Sequence, residues 1–227
     1  AEDLVAETTG LVSHMGQARG RVADRPMWID ANIDSFQRLL RPLSRKLSTP
    51  DASLLKEFGS KASGAEMGLL LGWMSGRVLG QYDLLIIEDE NPEDQDIVYY
   101  VGPNVLAIEK KYGFPPEEIR LWLALHECTH RAQFTGIPWL RSHFLSLVNK
   151  TLESVDPDPE MFRDAAKKII EARKSGEDLF EDGGLPTLFT SPEQRETLNQ
   201  ISGMMSLLEG HGDVTMDRAG AKHITNA

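Results

Sequence analysis

The feature that most constrains this chain is a five-residue run, His126-Glu127-Cys128-Thr129-His130, set inside a segment built to be one helix. Pro115 and Pro116 suit a first helical turn, Glu117 and Glu118 complement the positive end of the helix dipole, and Gly136 and Pro138 end the segment. The pattern predicts a helix from Pro115 to Phe134. Histidines at i and i+4 then share one face, one turn apart, so both imidazoles can reach a single ion. Glu127 lies about 100° further round. It misses the ion itself but can reach a water bound to it. Leu121, Leu123, Ala124 and Leu125 predict buried surroundings.

A catalytic zinc site usually takes three protein ligands and keeps one position open. After His130 the chain runs Arg-Ala-Gln-Phe-Thr-Gly-Ile-Pro-Trp, with no histidine until His143. That excludes the simple metzincin extension, which needs a glycine and then a histidine shortly after the motif. The best candidate for the third ligand is Glu209, within Leu208-Glu209-Gly210-His211-Gly212-Asp213. Glu209 and Asp213 share a helical face, so Glu209 would bind the metal while Asp213 accepts a hydrogen bond from the far nitrogen of a ligand histidine. The result would be a gluzincin-type His₂Glu site for one Zn²⁺, with Glu127 as catalytic base. His211 is an alternative. On a regular helix it faces away from Glu209, but Gly210 and Gly212 could bend the backbone and bring it in as a ligand or oxyanion donor. Arg131 and Tyr82 are further candidates for the oxyanion role.

The rest of the chain reads as mainly α, an α+β protein with a small antiparallel β element around residues 82–101. Met27 to Leu47 repeats apolar residues at helical spacing, with Pro42 expected to kink or end the helix. Asp51 to Leu79 reads as one or two helices. Gly64, Gly68, Gly72, Gly76 and Gly80 fall every fourth residue there, which predicts a buried helix in tight packing. Tyr82 to Ile87 and Ile97 to Val101 are β-rich runs, separated by an acidic, solvated loop from Glu88 to Asp96. Helices are also expected over Pro103–Lys111, Leu140–Leu152 and Met161–Arg173, with a loop over Ser175–Thr190. Ser191-Pro192-Glu193-Gln194 is a capping box that starts the helix carrying Glu209. No domain boundary, repeat or low-complexity block interrupts the chain, so residues 1–227 are expected to form one domain.

Composition narrows the partners. With 24 Lys and Arg against 35 Asp and Glu, the formal charge is −11 over 227 residues. Nucleic acid and anionic membranes need clustered cations, so neither is expected. The most apolar stretch, Met67 to Gly76, is ten uncharged residues, too few for a membrane span. The single cysteine, Cys128, rules out an internal disulfide and favours a reducing, cytoplasmic setting. It sits about 200° from His126 on the predicted helix, so it should pack into the core. The acidic start without an initiator Met, and the end at Asn226-Ala227, are expected of a processed, trimmed or incompletely observed part of a longer protein.

Three segments carry a family resemblance: Val78-Leu79-Gly80-Gln81-Tyr82-Asp83, the run from Leu121 through His126-Glu127-Cys128-Thr129-His130 to Phe134, and Glu209-Gly210-His211 with Met216-Asp217. Pro138-Trp139-Leu140 fits as well. Together they make the chain resemble the zincin-like hydrolases of actinobacteria and related bacteria, some of which are linked to deazaflavin-coenzyme biosynthesis. The resemblance implies a mostly helical zincin-like domain and a zinc-dependent hydrolase. It also implies that the family continues beyond the Glu209 segment, so residues closing the site would lie outside this chain. The expected function is hydrolysis of a peptide or small amide by metal-activated water. The alternative is a catalytically inactive zincin-like metal-binding scaffold or regulatory interaction module.

Overall fold

A computed structural model describes residues 1–46, 64, 67–85, 95–154 and 191–225 of the chain. In chain order their elements are α1 (Glu2–Thr9), β1 (Arg19–Ala23), α2 (Arg25–Lys46), α3 (67–75), β2 (Gly80–Tyr82), β3 (Ile97–Val101), α4 (Gly102–Tyr112), α5 (Pro116–Gly136), α6 (Leu140–Glu153) and α7 (Pro192–Gly220). The fold is mainly helical with a small sheet, as the sequence predicts. Two compact units divide it, residues 1–142 with 207–227, and residues 143–206. Among the described residues, no helix is long and apolar enough to cross a membrane.

The sheet has strand order β1-β3-β2. β2 and β3 pair antiparallel, as expected, with Gly80, Gln81 and Tyr82 opposite Tyr100, Tyr99 and Val98. The strand expected from Tyr82 to Ile87 is displaced toward the N-terminus: it covers Gly80–Tyr82, and the Asp83 N–H still donates to the Ile97 carbonyl at 2.9 Å. Residues 86–94 lie outside the described residues. β1 is unforeseen. It runs parallel to β3, from Arg19 opposite Ile97 to Ala23 opposite Val101. The Arg-Gly-Arg-Val run hides its strand character because residues 19–22 are exposed and only Ala23 is buried, so no apolar alternation marks it.

Each face of the sheet has its own layer. Ile97, Tyr99 and Val101 pack with Ala23, Trp28 of α2 and Leu71 of α3. Alternation along the strands turns Gly80, Tyr82 and Tyr100 the other way, toward α5; the Tyr82 ring stacks near Phe134 at 6.4 Å. Beyond α5, Leu125, Cys128 and Ala132 meet Val5 of α1 with Met216 and Ala219 of α7. The motif helix is therefore the central element of its unit. Cys128 is buried in this cluster, as the helical geometry predicts, and burial pushes its thiol up to about 11.

Polar contacts fix β2 in place. The Trp28 indole N–H donates to Gln81 Oε1 at 2.7 Å. The buried Asn104 amide donates to the Ser75 and Val78 carbonyls, both at 2.7 Å, and its oxygen accepts from Arg25 at 2.9 Å. These bonds tie the end of α3 and the entry to β2 against α2 and α4.

Other expectations meet mixed outcomes. α2 continues through Pro42 to Lys46. A proline deletes one N–H from the helical ladder, and here that does not end the element. Among the described residues the tight packing expected of the glycine row is not found: Gly64, Gly68 and Gly72 meet none of them within 4 Å, while Leu71 and Ser75, on another face, make the buried side of α3. Only Gly80, already in β2, is crowded. Asp96 is not solvated either: at 3% exposure its carboxylate accepts from the Arg131 Nε at 3.0 Å and Nη2 at 2.6 Å, and from the Tyr82 hydroxyl at 3.1 Å. α4 ends at Gly113 with φ 68, a left-handed cap that glycine adopts without strain.

In the second unit the capping box forms as read. The Ser191 N–H donates to Gln194 Oε1 at 2.6 Å and the Gln194 N–H to Ser191 Oγ at 3.1 Å. The Gln194 amide also donates to the Ser154 carbonyl at 2.6 Å. The expected helix Met161–Arg173 and loop Ser175–Thr190 lie outside the described residues.

Candidate metal centre

α5 presents His126 and His130 on one face, and the C-terminal half of α7 brings Glu209 to them. The two Nε2 atoms are 3.1 Å apart; Glu209 Oε2 lies 3.8 Å from His126 Nε2 and 3.6 Å from His130 Nε2. Tetrahedral zinc with bonds of about 2.0–2.1 Å requires ligand atoms roughly 3.3 Å apart. The three donors thus form a triangle of the size one face of such a tetrahedron needs. Among the described residues this is the group of histidine, cysteine and acidic side chains that converges in this way. Two neutral nitrogens and one carboxylate are also the donor chemistry of a catalytic zinc site.

The surroundings hold the imidazoles as metal ligands require. Burial, with the neighbouring His130, keeps His126 below its ordinary value and so neutral; Glu209 and Asp213 pull the other way. The Trp122 ring lies nearly parallel to His126, 14° apart with centroids at 6.4 Å. His130 is oriented by Gln133, which is 1% exposed. The Gln133 Nε2 sits 3.0 Å from the Leu208 carbonyl and 2.9 Å from His211 Nδ1, and it can only donate. Its Oε1, 3.0 Å from His130 Nδ1, must then accept. That places the His130 proton on Nδ1 and leaves the Nε2 lone pair aimed at Glu209 and His126.

Glu127 stands beside the triangle, 4% exposed. Burial pushes its carboxyl up to about 8; a hydrogen bond from the Tyr82 backbone N–H lowers it, and the charge of Glu209 adds to the rise. Gly80 is what lets β2 approach. A Cβ built there would lie 2.5 Å from Glu127 Oε1 and 2.8 Å from its Cγ.

Three expectations need correction. Asp213 does not reach a ligand histidine as a hydrogen-bond acceptor. It is exposed, His126 Nδ1 is buried without a partner, and Gln133 occupies His130 Nδ1. One turn on from Glu209, Gly212 lies against the rings, its Cβ position 3.7 Å from His130 Cε1 and 3.8 Å from His126 Nδ1. His211 does not swing in as a ligand, because α7 runs through Gly210 and Gly212 as unbroken helix and keeps it off the face of Glu209. Arg131 and Tyr82 are tied up below the site with Asp96, so neither side chain is free to meet an oxyanion. Sequence reasoning missed the roles of Gly80, Gln133 and the Tyr82 N–H. All three lie in segments that carry the family resemblance, and Gln133 has a further signal, since i+3 from His130 puts it on the ligand face.

A motif helix with two converging imidazoles, a glutamate from a second helix and a buried carboxylate alongside make up a zincin-like donor set. The chain belongs to the zincin-like metallopeptidase family, which matches it over residues 1–227. A solved structure from Chloroflexus aurantiacus, described as a "putative hydrolase with a novel fold", is similar at 29% identity and a TM-score of 0.66. The likeness covers 99% of this chain, which spans 58% of the length of that one. No curated protein matches the chain.

Proposed function

We propose that this protein is a zinc-dependent hydrolase of peptide or amide bonds, with Zn²⁺ held by His126, His130 and Glu209. The observation that carries the reading is the donor triangle beside the buried Glu127. An ion held there would acidify a coordinated water and polarise the substrate carbonyl. Glu127 takes the proton of the attacking water and returns it to the leaving amine. A cation nearby favours its ionised form, against the burial that otherwise keeps it protonated. The Tyr82 backbone N–H also favours its ionised form. Among the described residues β2 is an outer strand of the sheet, and an extended peptide can add to such an edge.

The test compares wild type with Glu127→Gln for metal content and peptidase activity. The variant should keep its metal and lose about 10²- to 10⁴-fold in rate, the usual contribution of such a base. Full activity in the variant would sink the assignment.

A second reading, a scaffold that keeps the metal without hydrolysis, draws on the exposed Leu69, Leu70 and Trp73 of α3. It requires a fourth protein ligand to close the metal's shell, which an anomalous-scattering crystal structure of the metal-loaded protein would reveal.

A further inference from the structure

A cavity of about 460 Å³ lies one helical turn along α5 from the candidate metal centre, within the size range of ligand pockets. Among the described residues its apolar walls include Leu79, Ile108, Phe114, Ile119 and Trp122. Two of these walls neighbour residues of the site along the chain. On α5, Trp122, His126 and His130 follow one another at i+4, so cavity and donors occupy successive turns of one helical face. Trp122 lies one turn from His126, about 6 Å along the axis, and stacks on its ring. On the other side, Leu79 immediately precedes Gly80, the residue pressed against Glu127.

The one carboxylate on the lining is already engaged. Glu118 accepts the Thr225 N–H at 3.0 Å and the Thr225 hydroxyl at 2.8 Å, which also holds Ile224 at the cavity. At the mouth, Tyr112 and Phe114 remain 59% and 44% exposed, with ring centroids 5.6 Å apart.

We propose that this cavity binds a bulky apolar or aromatic side chain of the substrate, so that the enzyme selects peptides or amides carrying such a group beside the cleaved bond. The inference rests on the metallohydrolase reading. Its occupant follows from continuity: Trp122 stacks on the His126 ring and Leu79 precedes the glycine pressed against Glu127, so a group held over these residues has the cavity's apolar walls beside it. Trp122 is then a specificity residue as well as a wall for the ligand histidine.

Binding tests this without turnover. The probes are N-acetyl-L-phenylalaninamide and N-acetylglycinamide on metal-free protein, and N-acetyl-L-phenylalanine hydroxamate and acetohydroxamate on zinc-loaded protein. The variants are Ile119→Trp, which fills the cavity, and Phe114→Ala, a change at its exposed mouth that spares the core. In both states wild type should prefer the benzyl probe by about tenfold or more, the gain expected for burying an aromatic side chain. Each variant should reduce that preference at least fivefold, with acetohydroxamate binding unchanged. No benzyl preference in wild type, or a preference that survives in both variants, overturns the proposal. Failure of the metallohydrolase reading looks different, because acetohydroxamate then binds none of the zinc-treated proteins whatever the benzyl probes do.

Discussion

Gly80 sits where a side chain would collide with Glu127: a Cβ there falls 2.5 Å from Oε1 and 2.9 Å from Cδ of the carboxylate. Glu127 is buried and fixed at its other end by α5, so the carboxylate must yield. On the proposed mechanism, Gly80→Ala should leave the metal donors in place and move the base. Misplacement by about 1 Å can cost roughly 10²-fold in rate. The expected result is a kcat lower by about that factor with zinc content equal to wild type. An alanine variant of full activity would show that Glu127 tolerates displacement and is not the base.

Gln133 makes a second prediction. It accepts from His130 and donates to the Leu208 carbonyl and His211, coupling α5 to the helix that carries Glu209. Partners that orient a ligand histidine are typically worth 10- to 100-fold in metal affinity. Gln133→Leu should weaken zinc binding by about that range in a chelator competition, whereas Gln133→Glu, which keeps the acceptor for His130, should recover part of the loss. Equal affinities in wild type and both variants would remove Gln133 from the site.

Much of the site could be read because it sits on regular helix. The i, i+4 rule placed His126 against His130, and the same geometry set Cys128 in the core and kept His211 off the face of Glu209. What stayed hidden depends on contacts between distant segments. Gly80 looked like the last member of a glycine row, yet it alone is crowded, because the chain has by then left α3 and entered β2 beside Glu127. β1 was invisible because an exposed strand has no apolar alternation. Asp96 read as loop charge because its cation, Arg131, lies 35 residues away inside the motif helix.

Asp83 predicts a pH effect. Its carboxyl is buried, and desolvation raises it above the usual carboxylate range, against the pull of the Leu85 N–H and of Arg38 and Arg141. The folded protein then binds this proton more tightly than the unfolded chain. Stability from this group is fully present below the unfolded value and is lost as pH rises through the folded one. Asp83→Asn keeps an acceptor for Leu85 and removes the charge. Its melting temperature relative to wild type should rise between pH 4 and pH 7. A difference that stays flat or falls over that interval would contradict the assignment.

Arg131 is buried to 1% exposure and satisfies four acceptors at once: both Asp96 oxygens, Glu2 at 2.7 Å and the Gly16 carbonyl at 3.0 Å. Removing it strands the Asp96 carboxylate in the interior. Breaking one partner of a buried pair typically costs about 3–5 kcal/mol, because the other charge is left unpaired. Arg131→Met should therefore lower unfolding stability by that order in urea titration. Asp96→Asn added to it should restore part, since the amide is neutral and asparagine tolerates the left-handed backbone, φ 53, that residue 96 adopts. The chemistry should feel the change as well. Asp96 anchors the Tyr82 hydroxyl, and the Tyr82 N–H favours the charged form of Glu127. At a temperature where Arg131→Met is still folded, its zinc content should match wild type while its kcat falls. A single variant that costs under about 1 kcal/mol would mean that water, rather than the guanidinium, satisfies Asp96.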